Sequence, residues 1–95
     1  MGSTDYTTYL HIDELLDLQR PLTAGAGDEM LFIVVHQVYE LWFKLILHEL
    51  DRAVEELWSA RPQGGIAPLR RTVRIERLLI AQLDVLETMS PEGFM

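Results

Sequence analysis

Cysteine is absent from the 95 residues, and its absence removes several chemistries at once. No disulfide framework, thiolate nucleophile or cysteine-bound zinc is available, a composition that suits a reducing, cytoplasmic compartment. Basic residues are scarce, eight Lys and Arg against fifteen Asp and Glu, for a net charge of −7. A chain of that sign is not expected to bind nucleic acid or an anionic membrane through its general field. Half of its positive charge lies in one cluster, Arg70, Arg71, Arg74 and Arg77. The expected reading is a solvated helix face, or pairing with Asp51, Glu55 and Glu56, and phosphate contact is the lesser alternative. The N-terminus has no basic stretch leading into an apolar one, so no secretory signal is expected. Tyr6 stands where a myristoylation signal needs Ser or Thr. Proline and glycine are few, and neither occurs between Asp28 and Arg61.

That uninterrupted stretch is the dominant feature. Asp28 is a good N-cap residue, and Glu29 suits the positive end of a helix dipole. With no breaker before Pro62, one helix is predicted over about 28–59, roughly 45–50 Å long. A first helix is predicted over about 12–19 (IDELLDLQ), stopped by Pro21. The arm before it (residues 1–11, with the β-branched and aromatic YTTYL) is predicted to be extended. "RPLTAGAG" reads as a loop and "PQGG" as a turn. A third helix, antiparallel to the second, is predicted over about 68–89, with Pro68 at its first position. Ser90 and Pro91 look like the start of a further helix. The fold class is therefore all-α, with at most one domain.

Wound as a helix, residues 28–59 place Phe32, His36, Tyr39, Phe43 and Leu50 on one stripe. Gln37, Glu40, Lys44, His48, Asp51 and Glu55 form a polar stripe beside it, with Glu40 and Lys44 a favourable i,i+4 pair. Leu31, Val34, Val35, Val38, Leu41, Trp42 and Leu45 fill the remaining arc. A helix apolar on most of its circumference must be covered on most sides, and two shorter helices cannot cover it. Gln37, Glu40 and Lys44 argue against a membrane span.

His36 in the middle of "LFIVVHQVYELWFKLILHEL" has three readings. It is a core histidine satisfied by one hydrogen bond, a metal ligand with Glu40, or the polar handle of an aromatic ligand pocket. The metal reading lacks donors, because no second His–Glu pair is present. His11 and His48 read as unremarkable surface residues.

Three stretches taken together resemble the N-terminal part of the tryptophan 2,3-dioxygenase family: YTTYLHIDELLDLQ (6–19), DEMLFIVVHQVYELWFKLILHELD (28–51) and LDVLETMSP (83–91). The combination is specific and spans essentially the whole chain. It implies part of an all-helical haem enzyme, a homotetramer that adds both atoms of O₂ across the indole C2–C3 bond of L-tryptophan to give N-formylkynurenine. By the same resemblance, His36 is the catalytic-pocket histidine that hydrogen-bonds the indole N–H, and Phe32 packs on the substrate ring. Tyr6, Tyr9 and Leu10 match an N-terminal segment that reaches into a neighbouring subunit's pocket. The family's haem-ligating histidine and its carboxylate-binding arginine match no residue here, and the Arg70 cluster is not at that arginine's position. At Leu83 the family usually carries an aromatic residue, read here as core variation. The expectation is an N-terminal portion holding half of a distal pocket. The alternatives are a haem oxygenase acting on another indole, or a non-catalytic helical oligomerisation module.

Overall fold

In the computed structural model, residues 5–25 and 27–89 are described. They form four α-helices and one 3-10 turn, with no strand among the described residues. Helix α1 is Tyr6–Tyr9, α2 is Ile12–Leu15, α3 is Glu29–Trp58 and α4 is Ile66–Leu86, with the 3-10 turn at Pro62–Gly65 between α3 and α4. The all-α expectation holds.

The arm differs from the extended chain predicted for it. Asp5 caps α1, its Oδ1 accepting the Thr8 N–H at 2.8 Å, which nucleates a single turn despite the β-branched residues. This bond holds the Asp5 carboxyl below its ordinary pKa. His11 then takes the left-handed conformation (φ 55°), which ends α1 and starts α2 in a new direction. Helix α2 is shorter than expected and stops at Leu15. The chain beyond it is drawn onto α3: Gln19 Nε2 donates to Gln37 Oε1 (2.9 Å), and Gln37 Nε2 donates to the Leu18 carbonyl (3.0 Å). Gln19 Nε2 also donates to the Leu15 carbonyl (2.9 Å), an acceptor that the Gln19 N–H would have taken in a longer helix.

Helix α3 begins one residue after the predicted cap and ends one before the predicted end, within the usual play of helix termini. Asp28 supplies its carbonyl to the Phe32 N–H (3.0 Å), but its side chain makes no capping bond. Glu29 lies in the first turn, as its expected dipole role requires, and it does further work. Its carboxylate accepts the N–H groups of Leu22 (2.7 Å) and Thr23 (2.8 Å), clipping the preceding loop to the helix start. Within that loop Gly25 has φ +87°, a conformation that excludes most side chains.

The "PQGG" turn is a full 3-10 turn that runs directly into α4, two residues earlier than predicted. Pro68 is the third residue of α4 rather than the first, and it is fully buried. Its missing N–H costs nothing there, because the first turn of a helix has no carbonyl partners. Helix α4 ends at Leu86, not Met89. The expected further helix at Ser90 and Pro91 lies outside the described residues.

α3 and α4 pack as an antiparallel hairpin. Close to the turn, Ala53 is 2 % exposed, and a Cβ on Gly65 would lie 3.2 Å from the Ala53 carbonyl oxygen. Only small residues allow the two backbones to come so near. Further along, Thr72, Ile75 and Val35 are buried, and Tyr39 donates its hydroxyl to the Leu79 carbonyl at 2.9 Å. One charge is enclosed in this seam. Glu49, 2 % exposed, accepts from Arg52 Nη1 (2.8 Å) and Arg71 Nη1 (3.0 Å). Burial pushes its pKa up, but the bond from Arg71 and the charges of Arg52 and Arg71 outweigh it and hold the carboxyl below its ordinary value. Arg71 therefore pairs with Glu49, not with the expected Asp51, Glu55 or Glu56.

Little else is covered. Leu41, Phe43, Leu47, Val54, Leu57 and Trp58 of α3 are all exposed, and so is Leu83, which is not a core residue in this chain. The accessible surface is 7570 Å², against about 5,600 Å² for a compact monomer of this mass. By length and composition α3 would suffice to cross a membrane, although Glu40 and Lys44 sit near its centre.

Candidate substrate-facing site

Helix α3 builds the site from four consecutive turns. Phe32, His36, Tyr39 and Phe43 recur at helical spacing, and their rings form a ladder. Phe32 and His36 lie 4.1 Å apart, tilted by 30°. His36 meets Tyr39 edge-on at 6.3 Å, and Tyr39 stacks on Phe43 at 6.0 Å. The ladder divides in two. Tyr39 and Phe43 turn toward α4 and line an apolar groove with Leu79, Ile80 and Leu83. His36 turns the other way, into a cavity of about 530 Å³ bounded by Leu15, Leu18, Gln37, Glu40, Leu41 and Lys44.

The His36 imidazole is exposed in this chain, but its orientation is fixed from within the helix. Nδ1 lies 2.8 Å from the Phe32 carbonyl oxygen. A carbonyl only accepts, so Nδ1 carries the proton, and in the neutral ring Nε2 is left with a lone pair. The ring therefore presents one hydrogen-bond acceptor, beside the face of Phe32. That arrangement suits a flat aromatic ligand with an N–H at its edge.

Of the residues predicted for the site, the chain brings Phe32 and His36 together. Tyr6, Tyr9 and Leu10 stand apart. They are 73 %, 69 % and 43 % exposed, and α1 packs on α2 rather than on either long helix. The cavity is also lined by three residues of the predicted polar stripe, Gln37, Glu40 and Lys44. They follow His36 by one, four and eight residues, a spacing that places them on an adjoining face. The polar stripe is as expected, with Glu40 and Lys44 exposed, and what the pattern did not show is that it borders the same cavity as His36.

Among the described residues no group of three or more His, Cys, Asp or Glu could hold a metal ion. An axial haem ligand needs only one side chain, and a histidine whose Nδ1 is already bonded keeps Nε2 for such a role. His11 Nδ1 faces Glu14 Oε2 at 3.2 Å, and His36 Nδ1 faces the Phe32 carbonyl. Among the described residues nothing singles out one of these side chains as an anchor for iron.

A family model described as tryptophan 2,3-dioxygenase matches residues 1–95. The chain belongs to that family. Among curated relatives, the tryptophan 2,3-dioxygenase of Herpetosiphon aurantiacus is 51 % identical over 90 residues, covering 94 % of this chain and 35 % of the relative. That of Anaeromyxobacter dehalogenans is 49 % identical, covering 94 % of this chain and 33 % of the relative. That of Bacillus thuringiensis is 43 % identical, with 94 % and 32 % covered. The chain thus spans about a third of the length of the tryptophan 2,3-dioxygenases it matches.

Proposed function

We propose that this chain supplies the substrate-facing wall of a haem-dependent dioxygenase. The complete protein opens the indole C2–C3 bond of L-tryptophan with O₂ to give N-formylkynurenine. Family membership supports the reaction, and one observation carries the role of the site: the Nδ1–H of His36 is committed to the Phe32 carbonyl, so Nε2 of the neutral ring can only accept. Tryptophan's indole offers one polar group at its edge, an N–H donor, and Nε2 is its complement. Phe32, one turn before and in ring contact with the imidazole, supplies the apolar face on which the indole plane packs.

Haem, when bound, supplies O₂ activation. The chain's own groups bind and orient. His36 fixes the indole edge without needing to remove its proton, and Phe32 fixes the plane. We further read Tyr6, Tyr9 and Leu10 as closing the pocket of a neighbouring subunit and excluding water from it. Their exposure and the detachment of α1 from α3 and α4 support that reading. A homotetramer in the cytoplasm, in which the arm crosses between chains, accommodates all of these features.

The test uses the complete protein loaded with haem. Supplied with L-tryptophan under ¹⁸O₂, it is expected to yield N-formylkynurenine carrying two labelled oxygens at first formation. A product with a single label, or turnover of indoles but not of tryptophan, overturns the assignment.

A further inference from the structure

A second concave surface lies at the opposite end of the hairpin from His36, at the start of α4. It is a groove of about 540 Å³ lined by Gln63, Ile66, Ala67, Arg70, Arg71 and Arg74. Three of its six wall residues are arginines, in a chain whose acidic residues outnumber its basic ones by nearly two to one. In such a chain each cation would be expected to find a carboxylate. Arg71 does, in Glu49, but Glu49 also answers Arg52, so one carboxylate faces two guanidiniums and a positive charge is left over. Among the described residues Arg70 and Arg74 form no ion pair with any Asp or Glu. They are one turn apart and so project side by side from the same face of α4. Gln63, in the turn before α4, lines the same groove with its side-chain amide.

We infer that this groove is a binding site for a soluble phosphate ester or similar oxyanion, separate from the indole-binding wall. The guanidinium fork matches the geometry of phosphate oxygens, and paired forks on one face give bidentate recognition that a single surface arginine does not. The volume suits a small molecule rather than an extended polyanion. The net charge of −7 sets the remainder of the surface against a polyanionic strand or an anionic bilayer. The site is built on α4 and the turn before it, and no residue assigned to the substrate wall takes part.

The inference is tested on the complete protein by titration calorimetry with inorganic pyrophosphate. Saturable binding at one site per chain is expected. Arg70→Ala and Arg74→Ala should each weaken it about tenfold or more. Arg77→Ala, which removes the same charge from the same helix outside the groove, should change it less than about twofold. Arg70→Lys keeps the charge and loses the fork, and should fall nearer to Arg70→Ala than to the parent. All four variants are to be checked for parental helicity and for an unchanged Michaelis constant for tryptophan, which separates this site from the catalytic reading. Absence of binding at millimolar pyrophosphate overturns the inference. So does an equal loss with Arg77→Ala, which would mean a diffuse field and no site. Binding to vesicles containing anionic lipid, without binding to pyrophosphate, would overturn the soluble-ligand assignment as well.

Discussion

The fixed tautomer of His36 gives the most discriminating prediction, because it concerns one hydrogen bond and its direction. With Nδ1–H held by the Phe32 carbonyl at 2.8 Å, Nε2 of the neutral ring accepts and cannot donate, and in the proposed function its partner is the indole N–H. Replacing His36 by Ala in the complete enzyme leaves that N–H without a partner in a closed pocket. A lost neutral bond costs about 0.5–1.5 kcal/mol, and an unsatisfied buried donor about 1–3 kcal/mol. At about 1.4 kcal/mol per decade the fall in kcat/KM for tryptophan should be roughly 5- to 150-fold, with haem still bound. The decisive comparison uses the benzofuran analogue of tryptophan, in which oxygen replaces the N–H with little change of shape. In the parent enzyme the analogue sets one lone pair against another and should be turned over poorly. In His36→Ala that repulsion is gone, so the preference for tryptophan over the analogue should shrink by most of the same factor. The assay is steady-state turnover of both substrates by both enzymes. An undiminished preference in His36→Ala would refute the argument, since the imidazole would then not be reading the N–H. Loss of the haem absorption band would place His36 at the iron instead.

The remaining predictions concern the hairpin that carries the site. Ile75 is 6 % exposed and Ile80 is 67 % exposed on the same helix. Ile75→Ala should cost about 2–4 kcal/mol and Ile80→Ala well under 1 kcal/mol, read by urea unfolding; equal effects would mean that α3 and α4 do not pack as described. Glu49 has its pKa lowered from 4.5 by Arg71 and Arg52, so the folded state binds its proton less readily than the unfolded one. Its contribution is fully present above pH 4.5 and is lost as pH falls through the lowered folded value, so the loss of stability in that acid window should be smaller in Glu49→Gln than in the parent. Glu29→Ala removes the acceptor of the Leu22 and Thr23 amides, and hydrogen exchange at those two amides should quicken while that of the α3 centre does not.

How much of this was legible depended on which interactions each element answers to. The long helix was readable to within a residue at each end because nothing competes with it: no Gly or Pro interrupts 28–61, and its ends are set locally. The arm was misread because β-branched residues were taken as evidence of extension, whereas one side-chain bond from Asp5 to Thr8 was enough to close a turn. The shortening of α2 was beyond local reasoning, since it depends on Gln37, eighteen residues beyond Gln19. Glu49 was the most instructive omission. It lies on the apolar arc of α3, not on the polar stripe, and a carboxylate on that arc predicts a buried cationic partner. The sequence offered four arginines on α4, and the hairpin register selects Arg71.

An imidazole in so apolar a stretch needs a physical reason, and the helix provides one without outside help. A histidine whose Nδ1 reaches the carbonyl four residues back satisfies one nitrogen within its own turn, so it depends on no other element to fix its ring. Only Nε2 remains to be answered. An unanswered lone pair is costly once a pocket is closed and water is gone. The position is therefore tolerable in two circumstances, with water present or with a donor supplied. In this chain alone the ring is exposed and water serves. In the enzyme proposed here the substrate is the donor, so closing the pocket over an indole N–H removes the penalty, and closing it over a carbon or an oxygen leaves it. Selectivity at this edge of the ligand then requires that Gln37 and Lys44, which line the same cavity, leave Nε2 unanswered, as they do among the described residues. A second donor placed near His36, for example by substitution at Leu18 or Leu41, which border the same cavity, should raise turnover of the benzofuran analogue relative to tryptophan. If selectivity is unmoved by such a donor, the imidazole is a fixture of the helix and the reading of the ligand lies elsewhere in the protein.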